Sequence, residues 1–564
     1  MEINILKFVF FYCLIIISTV GYGYFFLKIS KKQSKEFSIG IIGIIGVFCL
    51  VLYSILSHFF YRHGEMHNTF IILFGVYNFI KYLKKEVNKK DLKIFLATFT
   101  IMFFGMIILK NHDDFSYYHF QYTYYITQHP LLIGIGKFNH GLRTPSSIFY
   151  LNSLFYLPII KYYMFNMGAL MIMGFSNIII IKKVKDYIDS NEYNYLLILN
   201  LLTFSFINIF FYRLAEHGTD RSAMILVLLF TLELLYFINY KGNYKNFYIN
   251  IFIILGLIIS LKSFYLMYLL FALPILFYIF KYKKTDEFLE VIKFRNIFFN
   301  YFCILILLLL TINFFNTGCL VYPIYFTCFE SFSWAIPVKQ VLAMNDWYEQ
   351  WSKAGAGPNF RIDNPENYIK GFNWVSHWFN EYFFNKVSDF IGGLIIMYLI
   401  YFSLFVRKSK KKLSNSKNIY LIYLTIIVLF FEWFYNHPTL RYGGYVLVFL
   451  LFSIPVSVLL DKYLIDPKKI RLKISILFFI TISVFILRNS ERIISENKQY
   501  SPSINISKLN YNIDRTYFGI ENKFNNQINY YENCKDINKV CDKFTKKKFN
   551  KYIFIKKLPN KFIN

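Results

Sequence analysis

INILKFVFFYCLIIISTVGYGYFFL, residues 3–27, is followed at once by KISKKQSK, residues 28–35. An α-helix needs about 20 mostly apolar residues to cross the hydrocarbon core of a bilayer. This run is longer than a signal-peptide core and lacks a small-residue cleavage site, so it reads as a retained helix that ends in a lysine-rich loop. Comparable runs recur to about Ile486, separated alternately by lysine-rich loops and by loops carrying aromatics and histidine. The expected fold class is an all-α polytopic membrane protein of about 13–14 transmembrane helices. The pair between Phe247 and Phe280 is divided only by a break near Lys262.

The chain of 564 residues is 56% hydrophobic and 21% aromatic with only 13 Pro and 25 Gly, which excludes disordered, collagen-like and ordinary soluble compositions. A net charge of +29 raises nucleic acid as a partner, but the basic residues are not gathered on one domain or face. They fall instead in alternate loops: Lys28 to Lys35, Lys81 to Lys93, Lys182 to Lys185, Lys241 and Lys245, Lys281 to Lys284, Arg407 to Lys412 and Lys468 to Arg471. The positive-inside rule makes those loops cytoplasmic and puts both termini outside. All ten histidines then fall in or beside the opposite loops. The expected partners are membrane lipids and not nucleic acid.

The outer segments are unequal: about 111–158, the short 213–221, and the long 316–390, which holds five of the six tryptophans. The organisation expected is a transmembrane domain over 1–487 followed by a polar outer-face tail over 488–564. Of the seven cysteines, Cys13, Cys49 and Cys303 lie in apolar runs and read as buried small residues, whereas Cys319, Cys328, Cys534 and Cys541 lie in outer segments where disulfides persist. Free thiols remain the alternative there.

Chemistry-bearing residues concentrate at the outer boundary. In NHDDFSYYHFQYTYYITQH, residues 111–129, a helix rich in Tyr is expected to lie in the membrane interface, opened by Asp113 and Asp114. Paired carboxylates there either cap the helix, or hold a divalent cation or act as general base towards a hydroxyl. RLAEHGTDR, residues 213–221, packs Glu216, Asp220 and Arg221 into one short loop, where the carboxylates and arginines either pair with one another or meet a ligand. Lys262 stands alone among apolar residues, and an ammonium at that depth is costly unless it has a function or snorkels to water. WFYNHPTLRYGGY, residues 433–445, sets His437 and Arg441 at another outer turn, with Pro438 and two glycines shaping it. Glu432 is a candidate partner of Arg441.

HDDFSYYHF, then GIGKFNHGLR and SSIFYLNSLF, resembles the GT-C superfamily of integral membrane glycosyltransferases, closest to a poorly characterised bacterial group. ILGLIISLKSFYL, NTGCLVYP and a carboxy-terminal cysteine pair extend the similarity over most of the chain. The resemblance implies a GT-C-like helix bundle in a bacterial inner (plasma) membrane, with its site facing outwards. It implies a polyprenyl-phosphate-sugar donor and a lipid-linked glycan or lipopolysaccharide acceptor. Asp113 or Asp114 would activate the acceptor or bind a metal. His119, His140, Arg143, Glu216, Asp220, Arg221, Lys262, His437 and Arg441 would line the substrate site, with Arg221, Lys262 and Arg441 on the donor phosphate. No cofactor beyond an optional divalent metal is implied. The rivals are a transporter or polymerase of lipid-linked oligosaccharide and an inactive scaffold.

Overall fold

The computed structural model describes residues 5–500, except 109, 113, 138–139, 240–243, 283, 293–295, 358–361 and 407–418, together with 556–557. Its helices are α1 (Ile5–Ile29), α2 (Ile39–His58), α3 (Glu65–Lys85), α4 (Lys89–Met106), α5 (Phe120–Gln128), α6 (Ser147–Ser153), α7 (Met167–Asp189), α8 (Tyr195–Phe210), α9 (Asp220–Asn239) and α10 (Tyr244–Leu261). They continue as α11 (Ala272–Lys281), α12 (Thr285–Ile292), α13 (Ile297–Thr317), α14 (Val338–Lys353), α15 (Pro365–Ile369), α16 (Val375–Trp378), α17 (Ser388–Phe405), α18 (Ile419–Asn436), α19 (Gly444–Asp461) and α20 (Pro467–Tyr500). The chain is an all-α polytopic membrane protein.

Among the described residues, ten helices are long and apolar enough to cross a membrane. Two shorter apolar helices, Tyr195–Phe210 and Asn246–Leu261, join the bundle, and the more polar α3 and α4 pack on α1 and α7. The sequence expectation of 13–14 counted these shorter and more polar helices as spans. α1 lies against α2 and α3 as part of the bundle. Glycines allow the closest approaches: a Cβ on Gly21 would sit 1.9 Å from the Gly75 carbonyl oxygen, so α1 and α3 meet backbone to backbone.

Four expectations change. The helix after Asp114 is not laid on the surface of the protein; every residue of α5 from Phe120 to Thr127 is buried, packed on α6. The proposed boundary at 487/488 falls inside α20, which runs on to Tyr500. Cys13 is exposed on the surface of α1, and Cys49 and Cys303 are partly buried rather than enclosed. The third outer segment is not one loop to Phe390, since α16, a π-helical stretch Phe379–Val387 and α17 form a continuous apolar helix from Val375 to Phe405. Cys319 and Cys328 form a disulfide. Cys534 and Cys541 lie outside the described residues.

Candidate functional site

Four residues far apart in sequence meet at one end of the bundle. Asp220 is the first residue of α9, whose other end, Asn239, is followed in sequence by Lys241 and Lys245. The site therefore lies at the end of α9 away from those lysines. Lys262 occupies the break that the sequence marks between two apolar runs. It adopts an extended conformation (φ −162°, ψ 132°) between α10 and a 3-10 stretch, Ser263–Phe271. Its Nζ reaches Asp220 Oδ1 at 2.5 Å and lies 4.1 Å from the centre of the Tyr442 ring.

Arg441 bridges the two acids. Its Nε donates to Asp220 Oδ2 at 3.1 Å and its Nη2 to Asp114 Oδ2 at 2.6 Å, while the guanidinium lies over the Trp351 ring of α14. Two carboxylates and two cations thus form one compensated chain, Lys262–Asp220–Arg441–Asp114, with Asp220 only 6% exposed. The turn that carries Arg441 is held from three sides. Trp378 Nε1 donates to the Pro438 carbonyl, Trp433 Nε1 to the Thr439 carbonyl, and the Leu440 amide to Tyr382 Oη. Gly443 has φ +97°, a left-handed conformation that favours glycine.

Asp114 has helical backbone angles and makes no side-chain capping bond, so the capping reading does not apply to it; its carboxylate turns to Arg441 instead. Burial works to raise the Asp114 pKa, but Arg441 and then His112 overcome it and hold the group below the ordinary carboxylate value. The Asp114 amide donates to His112 Nδ1 at 3.0 Å. His119 is buried, its ring between Tyr118 and Phe149 and 5.5 Å from that of His112, and its Nε2 has no hydrogen-bond partner. His112, Asp114 and His119 each bring one ligand atom within 4.8 Å of the others. The metal position implied at Asp113 and Asp114 is thus a mixed histidine and carboxylate group, with Asp113 outside the described residues.

Other predicted site residues separate from this cluster. Glu216 does not face Asp114; it pairs with Arg492 of α20 and with Arg213 at 3.4 Å. Arg221 lies one position after Asp220 on α9 and makes no ion pair with either acid of the cluster; its Nη1 is buried without a hydrogen-bond partner. Arg143 ties the first outer segment to the disulfide loop, donating to the Gly136 carbonyl at 2.9 Å and to Tyr322 Oη at 3.3 Å. His140 bonds Tyr117 Oη. His437 packs edge-on to Phe264 and Tyr442, beside the cluster, and burial lowers its pKa to about 4. Glu432 does not pair with Arg441; it accepts from Asn436 one turn on, at 3.1 Å. Glu233 belongs to the opposite end of α9, where Lys183 holds it at 2.8 Å. Sequence reasoning passed over His112 and Tyr442 as site residues. His112 directly precedes the acid pair, which was its only signal.

A family model described as "Domain of unknown function (DUF8201)" matches residues 5–448. The chain belongs to the DUF8201 family. The DUF8201 region includes Asp114, Asp220, Lys262 and Arg441 and ends inside α19. Within the DUF8201 protein described here, α20 lies beyond the matched region, yet its Arg492 supplies the partner of Glu216. No curated protein and no solved structure matches the chain.

Proposed function

We propose that this protein is a GT-C-type membrane glycosyltransferase. It moves a sugar from a polyprenyl-phosphate donor to a hydroxyl of a lipid-linked glycan or lipopolysaccharide acceptor at the outer face of a bacterial plasma membrane. The observation that carries this reading is the bridge from Arg441 to both Asp114 and Asp220, with Lys262 completing it. A base and two phosphate-binding cations are thereby assembled at one end of a helix bundle, where a lipid-linked phosphate would lie.

In this reading Asp114 takes the proton of the acceptor hydroxyl. The acceptor oxygen bonds the anomeric carbon as the bond from that carbon to the phosphate oxygen breaks. The electron pair leaves with the polyprenyl phosphate, whose charge Arg441 and Lys262 meet. A single displacement inverts the anomeric carbon. Arg441 links the two events. While it holds Asp114 the carboxylate is a weak base, and a donor phosphate that draws the guanidinium away restores its basicity. Trp351 and Tyr442, already against Arg441, supply apolar ring faces beside the reacting groups.

The test is the surface-glycolipid profile, by mass spectrometry, of cells lacking the protein and complemented with wild type or Asp114→Asn at equal membrane abundance. Loss of one defined sugar that wild type restores and the variant does not supports transfer. Full rescue by Asp114→Asn removes the carboxylate mechanism in favour of transport or scaffolding.

A further inference from the structure

We propose that His112, Asp114 and His119 form a binding site for one divalent transition-metal ion, Mn²⁺ or Zn²⁺ rather than Mg²⁺ or Ca²⁺. This deepens the transferase reading and rests on it only for the metal's use, not for its binding. The backbone makes the first argument. Residues 115–119 form a π-helical turn. Five residues advance about 140° around an ordinary α-helix, which would point Asp114 and His119 apart. An i→i+5 turn stacks the residue five along nearly over the first. The widened turn is therefore what puts the two side chains on one face, and His112, just ahead of the turn, folds back onto them.

Distances agree with that. Ligand atoms about 2.1 Å from a tetrahedral ion stand roughly 3.4 Å apart. One ligand atom from each of the three residues lies within 4.8 Å of the others, so side-chain adjustments of about 1 Å complete the geometry. His119 is 95% buried by accessible surface, 5% remaining exposed, and its Nε2 has no hydrogen-bond partner, an omission that a buried polar atom rarely tolerates.

Ligand chemistry decides the ion. Two imidazoles and one carboxylate leave open positions and suit Mn²⁺, Fe²⁺ or Zn²⁺, whereas Mg²⁺ and Ca²⁺ prefer all-oxygen sets. The neighbouring charges already cancel, since Asp114 and Asp220 face Arg441 and Lys262. An added divalent ion leaves the site positive and open towards an anion, which fits a phosphate oxygen in one free position.

The experiment uses the purified full chain in detergent, stripped with chelator and titrated with Mn²⁺, free Mn²⁺ being read by electron paramagnetic resonance. The expected result is one saturable Mn²⁺ per chain. His119→Gln and His112→Gln should each weaken binding about tenfold or more, His377→Gln should leave it unchanged, and Mg²⁺ should compete poorly. Partly exposed His112 provides a variant that folds even if His119→Gln does not, with melting temperature as the check. Absence of saturable binding, or binding unaltered in both variants, overturns the proposal. In either case a glycolipid defect in Asp114→Asn would still stand, as metal-independent transfer.

Discussion

The Asp114 carboxylate and the Arg441 guanidinium meet at 2.6 Å across 327 positions of chain. The same guanidinium holds Asp220, so one cation joins the segment that carries Asp114, the start of α9 and the turn before α19. Removing any member therefore has consequences set by burial as well as by chemistry.

Asp114 and Asp220 should separate in their phenotypes. Asp114 is half-buried and its loss leaves Arg441 still paired with Asp220, so Asp114→Asn should abolish transfer with little change in melting temperature. Asp220→Asn strips a buried counterion from both Lys262 and Arg441 and should cost about 3–5 kcal/mol. Thermal melts of the two purified variants, alongside the glycolipid profile, check this. Equal destabilisation by both would contradict it.

Arg441→Lys keeps the charge but loses the fork. A single ammonium cannot reproduce the separate Nε and Nη2 bonds to two carboxylates. Glycolipid product should fall about tenfold or more in this variant, the cost of roughly one charge-assisted bond of 1.5–3 kcal/mol, while membrane abundance is retained. Wild-type product from Arg441→Lys would show that the geometry of the bridge is immaterial.

Acid should weaken the packing around His437. Burial first, then Lys262 and Lys353, bring its pKa down from 6.5 to about 4. A folded-state pKa below the unfolded one means the unfolded chain binds the proton more readily. The neutral-histidine contribution is thus intact above about pH 6.5 and is lost as pH falls towards 4. Melting temperature measured over that range should decline more steeply for wild type than for His437→Gln; parallel curves would refute the assignment.

The Cys319–Cys328 disulfide reports orientation. Its loop lies beside the first outer segment through the Arg143 to Tyr322 contact, at the same end as Asp114. If that end faces the oxidising side, both thiols should resist alkylation in intact cells until a reductant is added. Their ready labelling without reductant would turn the site towards the cytoplasm.

Much was legible from sequence because the bilayer imposes a simple rule. Backbone groups must be satisfied within each span, so long apolar runs mark membrane helices. Asp114, Asp220, Lys262 and Arg441 were legible as candidates for the same reason, as ionisable groups at apolar boundaries are rare. What sequence could not decide was which of them meet. Glu216 and Asp220 sit in the same short loop, yet the helical start of α9 turns Asp220 to Arg441 while Glu216 faces Arg492 on α20. Glu432 looked like the local partner of Arg441, but its own helix supplies Asn436 at closer range. The widened turn at Phe115–His119 also left no mark in apolar periodicity. Apolar length marked most of the spans but not the end of α20 or the start of the helix Val375–Phe405; pairing between side chains hundreds of residues apart depends on how the helices pack, and only the tertiary structure decided it.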